Sequence, residues 1–135
     1  THPSLTAELD IVDIYQLADL VVFPSMLEGR GLPILESAAA GVPLVCSEYE
    51  PRSVFEELVG MGLPPEQVIQ YEEFPSGAFP EDLLARLTSA LLDQESQTDR
   101  IAHNREAVRV RYAFDPLTDS FRTIVDHLER TVEGR

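Results

Sequence analysis

Two glutamates enclose a glycine-containing loop in the first third of the sequence. Glu28 precedes Gly29, and after Gly31 the chain enters a predicted helix, with Pro33 in its first turn and Glu36 about one turn further on. Glycine lets a backbone approach a ligand closely or take a positive φ. The free N–H groups and positive dipole end of a helix N-terminus attract anions. The loop therefore predicts a site for an anion such as a diphosphate.

The two carboxylates would repel a phosphate, so a ligand would have to offer them hydroxyl donors. The cis-diol of a ribose or a sugar could donate two hydrogen bonds to Glu36, and Glu28 would face the same space from the strand side. A nucleoside diphosphate sugar has this layout, with phosphates in the middle and hydroxyls at both ends. A structural alternative stays open, because acidic residues near a helix start often only complement its dipole and glycine loops often only connect elements.

Two short apolar runs position the loop. Residues 20–23 predict a strand buried on both faces, residues 33–40 a small-residue helix, and residues 44–46 a second buried strand. Gly41 and Pro43 are expected to stop the helix between them. The result is a βαβ unit of a parallel sheet, and ligands of such sheets bind beyond the carboxyl ends of the strands, where this loop lies.

The rest of the sequence predicts mostly helices. They are expected over about residues 9–18, 53–59, 80–93, 97–112 and 116–132. Residues 68–71 are a third strand candidate, and residues 72–80 are expected to be irregular. We therefore predict a single α/β unit over residues 1–135, a Rossmann-like parallel sheet layered with helices, with a helical tail from about residue 80. Three strands make half of a doubly wound domain, so a fragment is expected.

Composition restricts the partners. The net charge is −14, and all ten cations are arginines, which argues against nucleic acid, gives no support for membrane contact and excludes lysine chemistry within the chain. No apolar run reaches the roughly 20 residues that span a bilayer. The three histidines are scattered, so no metal site is expected. The single cysteine, Cys46, fits a packing role and a reduced, cytoplasmic compartment.

The stretch from Glu28 to Glu36 resembles the glutamate–seven residues–glutamate signature of glycosyltransferase family 4, the group 1 retaining enzymes with the GT-B fold. Its surroundings are similar to the family pattern as well, at Leu17-Ala18-Asp19, Phe23-Pro24-Ser25 and the run from Glu36 to Pro43. The dense match covers about residues 15–46. Residues 104–128 resemble the C-terminal pattern of the family less specifically.

The resemblance implies that the chain is part of the C-terminal, nucleotide-sugar-binding domain of a retaining glycosyltransferase of carbohydrate biosynthesis, of the hexosyltransferase type. Glu36 would hold the ribose hydroxyls of the donor, and Glu28 would contact the donor sugar and act as the catalytic residue. Backbone amides around Gly31 and Leu32 would hold the distal phosphate. The donor-binding stretch would be completed by Gly29, Arg30 and Pro33.

The resemblance further implies that the reaction needs no metal and no cofactor, with a nucleoside diphosphate sugar as substrate. An N-terminal Rossmann-like domain of the same enzyme would form the other wall of the active site, so the isolated chain is expected to be inactive. The alternative is a non-catalytic GT-B-like module that binds a nucleotide sugar or regulates a partner. The sequence does not specify the base, the sugar, the acceptor or the oligomeric state.

Two positions depart from the family pattern. Arg30 stands where an aromatic residue is common, and it could reach a phosphate or an acceptor, or be an exposed structural arginine. Residues 47–52 stand where a glycine pair is common, which leaves Arg52 as a candidate contact for the diphosphate.

Overall fold

Three short parallel strands lie at the centre of the fold. The structure, a computed structural model, describes residues 10–75 and 80–113. The strands are β1 (Val21–Phe23), β2 (Leu44–Cys46) and β3 (Glu72–Glu73), in the spatial order β1-β2-β3. The Rossmann-like α/β fold with a parallel sheet is thereby confirmed. The helix predicted over residues 116–132 lies outside the described residues.

Within the described residues, five helices surround the sheet, close to the predicted positions. They are α1 (Ile11–Gln16), α2 (Leu32–Ala40), α3 (Arg52–Val59), α4 (Glu81–Leu92) and α5 (Thr98–Tyr112), with 3-10 turns at Pro65–Gln67 and Gln94–Gln97. The first helix is shorter than predicted because Asp10 caps it, accepting a hydrogen bond from the Val12 amide, while Asp13 bonds back to the Asp10 amide. None of the described helices is long and apolar enough to cross a membrane.

The burial of the strands follows their place in the sheet. β2 is buried at all three positions because it lies between β1 and β3, as predicted. The prediction that β1 is buried on both faces is wrong: the Val22 side chain is 45% exposed. Within the described ranges β1 pairs with β2 alone, so it lies at an edge of the sheet.

The third strand begins later than predicted. Residues 68–71 are not a strand; pairing with β2 is made instead by Glu72–Glu73, within the stretch expected to be irregular. The reason is a side chain of α5. Asn104 accepts a hydrogen bond from the Gln70 amide and donates one to the Gln70 carbonyl oxygen, both 2.8 Å long. These bonds use the two backbone groups that a neighbouring strand would otherwise pair.

The main core lies between the sheet and the helices α2, α3 and α5. It is built from buried apolar side chains that include Ile34, Leu44, Cys46, Tyr49, Phe55 and Ile69. A smaller cluster joins Val45 of β2 to Leu83 and Leu87 of α4. The Cys46 thiol is fully buried, and burial, followed by the charges of Glu48 and Glu73, raises its pKa to about 12. The thiol therefore packs as an apolar group.

Two arginines of α5 complete the C-terminal ends of other helices. Arg105 donates to the Ala40 carbonyl oxygen at the end of α2 (2.7 Å), and Arg111 donates to the Glu57 carbonyl oxygen near the end of α3 (2.6 Å). A cation at a helix C-terminus satisfies free carbonyl groups and complements the dipole. As predicted, α2 stops at a glycine, Gly41, whose φ is +77°. Since α5 contacts the C-terminal ends of both α2 and α3, it fixes the direction of the α2 axis relative to the loop.

We expect Asn104→Ala to lower the free energy of unfolding by about 2–4 kcal/mol, because it leaves two backbone groups of Gln70 without their partner. Asn104 is 3% exposed, so water replaces it poorly. Urea unfolding of the full-length protein measures the change. Glu106→Ala is the control, since Glu106 is exposed on the same helix and pairs with Arg109 at the surface. Equal midpoints for the two variants would contradict the role given to Asn104.

Candidate functional site

The loop after β1 is tied to the segment that follows β2. The Glu28 amide donates to the Glu50 carbonyl oxygen (2.9 Å), and the Glu50 amide donates to the Met26 carbonyl oxygen (3.0 Å). These bonds continue the parallel pairing beyond the ends of β1 and β2. Glu28 is half-buried there, at the carboxyl end of the sheet, which is the edge where ligands of parallel sheets bind.

The structure requires glycine at one of the two glycine positions of the loop but not at the other. Gly31 caps α2 with a φ of +68°, as the sequence suggested, and a Cβ at this position would overlap the phenol of the buried Tyr49. The Tyr49 hydroxyl donates to the Arg30 carbonyl oxygen (3.2 Å), which holds the loop against the core. Gly29 has a negative φ, and an added Cβ would meet open space. Gly31 is therefore required by the backbone and by Tyr49, whereas the structure sets no such requirement at Gly29.

Within the described structure, the first turn of α2 carries no acidic residue and no side-chain cap. No side chain bonds to its first amides among the described residues, Pro33 brings no N–H, and the first turn contains no acidic residue. The Ile34 amide bonds to the Gly31 carbonyl oxygen (3.0 Å). Glu36 is the fifth residue of α2, beyond the first turn. A role as dipole complement in the first turn, the structural alternative for this glutamate, therefore does not fit its position.

Glu36 lines a cleft between α1 and α2. Its Oε2 accepts a hydrogen bond from the Tyr15 hydroxyl (2.9 Å). The cleft has a volume of about 520 Å³ and is lined by Ile11, Val12, Tyr15, Gln16, Glu36, Ala39, Ala40 and Arg105; we call it the Tyr15 cleft. The sequence places Tyr15 in the helix predicted over residues 9–18 and indicates no role for it at the site. Its partner is 21 residues away, so no local pattern indicates the bond.

A second cleft borders the loop itself. It has a volume of about 510 Å³ and is lined by Gly29, Arg30, Leu32, Leu35, Val54, Glu57, Leu58 and Tyr112; we call it the Tyr112 cleft. The two clefts run along α2 and share no lining residue. Of the seven candidate residues, Gly29, Arg30 and Leu32 border the Tyr112 cleft, and Glu36 borders the Tyr15 cleft. Glu28, Gly31 and Pro33 border neither.

The two arginines near the loop differ in whether they form ion pairs. Arg52 forms ion pairs with Glu48 and with Glu56, the latter at 3.0 Å. The bond from Arg52 lowers the pKa of the Glu48 carboxyl. A diphosphate would have to compete with both carboxylates for this arginine. Arg30, by contrast, is exposed. Within the described part of the chain its guanidinium forms no ion pair, and its backbone carbonyl accepts the bond from Tyr49.

No group of three histidine, cysteine or acidic side chains in residues 10–75 and 80–113 is arranged to hold a metal ion. His103 lies with its Nε2 2.8 Å from the Val68 carbonyl oxygen, in contact with the backbone before β3. A metal-free reaction remains a prediction from the resemblance.

These features define an α/β protein with a Rossmann-like sheet and a glycine-capped helix N-terminus at its carboxyl edge. The family model described as "Glycosyl transferases group 1" matches residues 4–107, well over half of the chain. The chain therefore belongs to the group 1 glycosyl transferase family, as the loop signature predicted.

Two relatives support the assignment. A stretch of 38 residues, 28% of the chain, is 53% identical to the O-antigen chain mannosyltransferase B of Escherichia coli and covers 10% of it. Over 119 residues, 78% of the chain, the identity to the mannosylglucosylglycerate synthase of Thermotoga maritima is 29%, covering 26% of that protein. The chain thus spans about a quarter or less of these relatives. No solved structure matches it.

We expect Gly31→Ala to destabilise the protein by at least about 1–2 kcal/mol, because alanine disfavours a positive φ and its Cβ would displace the Tyr49 phenol. Gly29→Ala is the matched control, two residues away in the same loop with open space around it. Urea unfolding of both variants measures the difference. Equal stability of the two would show that Tyr49 does not constrain the loop.

Proposed function

We propose that this chain is the donor-binding half-domain of a retaining glycosyltransferase, which transfers a sugar from a nucleoside diphosphate sugar to an acceptor. The observation that carries the proposal is the N-terminus of α2. Gly31 caps it in a left-handed conformation, its first turn carries no negative charge, and a half-buried carboxylate, Glu36, follows one turn later. These features support an anion site and a hydroxyl acceptor on one helix.

The diphosphate would bind at this helix end. The Leu32 amide is the first of α2, and the dipole of the helix favours negative charge beside it. Arg30 is an exposed cation one residue before the cap and would supply the charge that neutral amides lack. This arrangement suits a phosphate group without a lysine, in a chain that has none.

The two glutamates would contact the two ends of the donor. Glu36 has one recorded hydrogen-bond donor among the described residues, and a carboxylate accepts about four, so acceptor capacity remains for a ribose diol. Glu28 would contact the donor sugar from the opposite side of the loop. Burial raises the pKa of the Tyr49 phenol to about 12, and the negative charge of the nearby Glu28 acts in the same direction.

In the proposed reaction the bond between the anomeric carbon and the diphosphate oxygen breaks, and the acceptor oxygen bonds to the same face of the sugar. The leaving diphosphate helps to take the proton of the acceptor, and Glu28 helps to organise the reacting centre. The protein contributes positioning and charge stabilisation, without a metal, a cofactor or a covalent intermediate.

The acceptor side of the site would come from an N-terminal Rossmann-like domain in a GT-B arrangement. The chain covers 26% and 10% of its two relatives, which leaves room in proteins of that length for such a domain. We therefore expect the chain by itself to catalyse no transfer. The names of both relatives include the word "mannosyl", so mannose is the first donor sugar to test.

We expect Glu36→Ala in the full-length protein to raise the KM for the nucleotide sugar about 10- to 100-fold. This fold-change corresponds to the free energy lost with a hydrogen bond to a charged group. Glu28→Gln should mainly lower kcat, because its contact is made at the reacting sugar. Steady-state transfer assays with UDP-, GDP- and ADP-linked sugars measure both effects.

Glu66→Ala is the control for these substitutions, since Glu66 is exposed on the 3-10 turn Pro65–Gln67, outside both clefts. An unchanged KM in Glu36→Ala would disprove the ribose contact. Tight donor binding without any turnover by the full-length protein would instead support the non-catalytic module.

A further inference from the structure

The hydrogen bond between Tyr15 and Glu36 joins two helices at a cleft. The donor is the Tyr15 hydroxyl on α1, the acceptor is Oε2 of Glu36 on α2, and the distance is 2.9 Å. Both side chains are half-buried, and both line the Tyr15 cleft. A hydrogen bond to a carboxylate is stronger than one between neutral groups, and burial from water strengthens it further.

The packing of α1 does not account for this bond. α1 has six residues and buries none of them, and the apolar side chains of Ile11, Val12 and Ile14 are each 52% exposed. Tyr15 is the residue of α1 that is half-buried, and its hydroxyl is directed at the carboxylate rather than at solvent or a backbone carbonyl. The bond therefore acts on Glu36 at least as much as on α1.

Among the described residues, the carboxylate is held by the phenol and not by a cation. Arg105 lines the same cleft, but its guanidinium donates to the Ala40 carbonyl oxygen (2.7 Å). An ion pair would satisfy several lone pairs of Glu36 at once, whereas the phenol occupies one. Glu36 therefore keeps acceptor capacity on the side of the cleft.

We propose that Tyr15 is a positioning residue, which orients the Glu36 carboxylate so that a ribose diol in the Tyr15 cleft meets a prearranged acceptor. The inference rests on the proposed ribose contact of Glu36. A glutamate side chain has three rotatable bonds, and a ligand that has to order it loses affinity. With Oε2 fixed by Tyr15, that ordering is complete before the ligand arrives.

The Tyr15 phenol remains a donor over the working pH range of proteins. Burial raises its pKa to about 12, and the hydrogen bond to Glu36 and the charge of Glu36 act in the same direction. The phenol is therefore protonated near neutral pH and does not compete with Glu36 as a second anion.

Tyr15→Phe in the full-length protein tests the inference, because phenylalanine keeps the ring and removes only the hydroxyl. The probes are UDP, GDP and ADP and the 2′,3′-dideoxy form of whichever of them binds, with affinities measured by calorimetry. We expect the wild type to prefer the ribose form, and Tyr15→Phe to reduce that preference about three- to tenfold. Affinity for the dideoxy form should not change, because it has no diol to present to Glu36.

Tyr71→Phe is the matched control. Its hydroxyl also donates to a glutamate, Glu48, at 3.2 Å, and the substitution should leave the ribose preference unchanged. An unchanged preference in Tyr15→Phe would overturn the inference, and so would an equal loss of affinity for both forms, which would indicate a structural role.

Glu36→Gln separates this inference from the proposed function. If Glu36→Gln abolishes the ribose preference and Tyr15→Phe leaves it intact, the ribose contact of Glu36 is supported and the positioning role of Tyr15 is disproved. If the wild type shows no preference for the ribose form, the ribose contact fails and the role of Tyr15 fails with it.

Discussion

The packing of Tyr49 beneath the loop is the constraint on which the site depends. Its ring meets Phe23 of β1 and Phe55 of α3 edge to face, with centroids 6.3 and 5.1 Å apart. Its hydroxyl reaches the Arg30 carbonyl oxygen, and its ring fills the space where a Cβ of Gly31 would lie. One buried side chain thus connects a strand, a helix and the loop. Because the ring is held on both sides, the loop that rests on it has little freedom to change shape.

This constraint has a consequence for anion binding. A chain with a net charge of −14 repels a diphosphate at long range, so attraction has to come from groups close to the ligand. Helix dipoles act only over the first turn, and their effect requires a fixed helix end. Tyr49 fixes the entry of α2, and Arg105 fixes its exit by bonding to Ala40. In the proposed donor site, the rigid placement of α2 would therefore let a weak, local attraction hold the diphosphate.

The sequence predicted the features of this fold that depend on neighbours along the chain. The apolar run of β2, the glycine that ends α2 and the glycine that begins it all act within a few residues, and the structure confirms them. The exposure of Val22 and the late start of β3 could not be predicted in this way. The first depends on what lies beside β1, and the second on Asn104, 34 residues away from Gln70.

The same distinction applies to the candidate site. The loop and its glutamates form one continuous stretch with recognisable spacing, whereas Tyr15 and Tyr49 act on it from 21 and 19 residues away. No periodicity distinguishes Tyr15 from its neighbours in the predicted first helix, and Tyr49 lies in a loop, where no periodicity is expected. Their link to the candidate site depends on the fold, which places the Tyr15 hydroxyl at the Glu36 carboxylate and the Tyr49 hydroxyl at the Arg30 carbonyl oxygen.

The Tyr15 bond is better explained by positioning than by stability. A hydrogen bond to a charged group contributes about 1.5–3 kcal/mol, a minor share of the 5–15 kcal/mol that stabilises a typical domain. The same energy changes the population of one side-chain orientation about 10- to 100-fold, which is a large effect at a single carboxylate. α1 buries no residue of its own, so little of the core depends on its exact position. Under the proposed ribose contact, a bond at this place therefore has more influence on the orientation of Glu36 toward the ligand than on whether the chain folds.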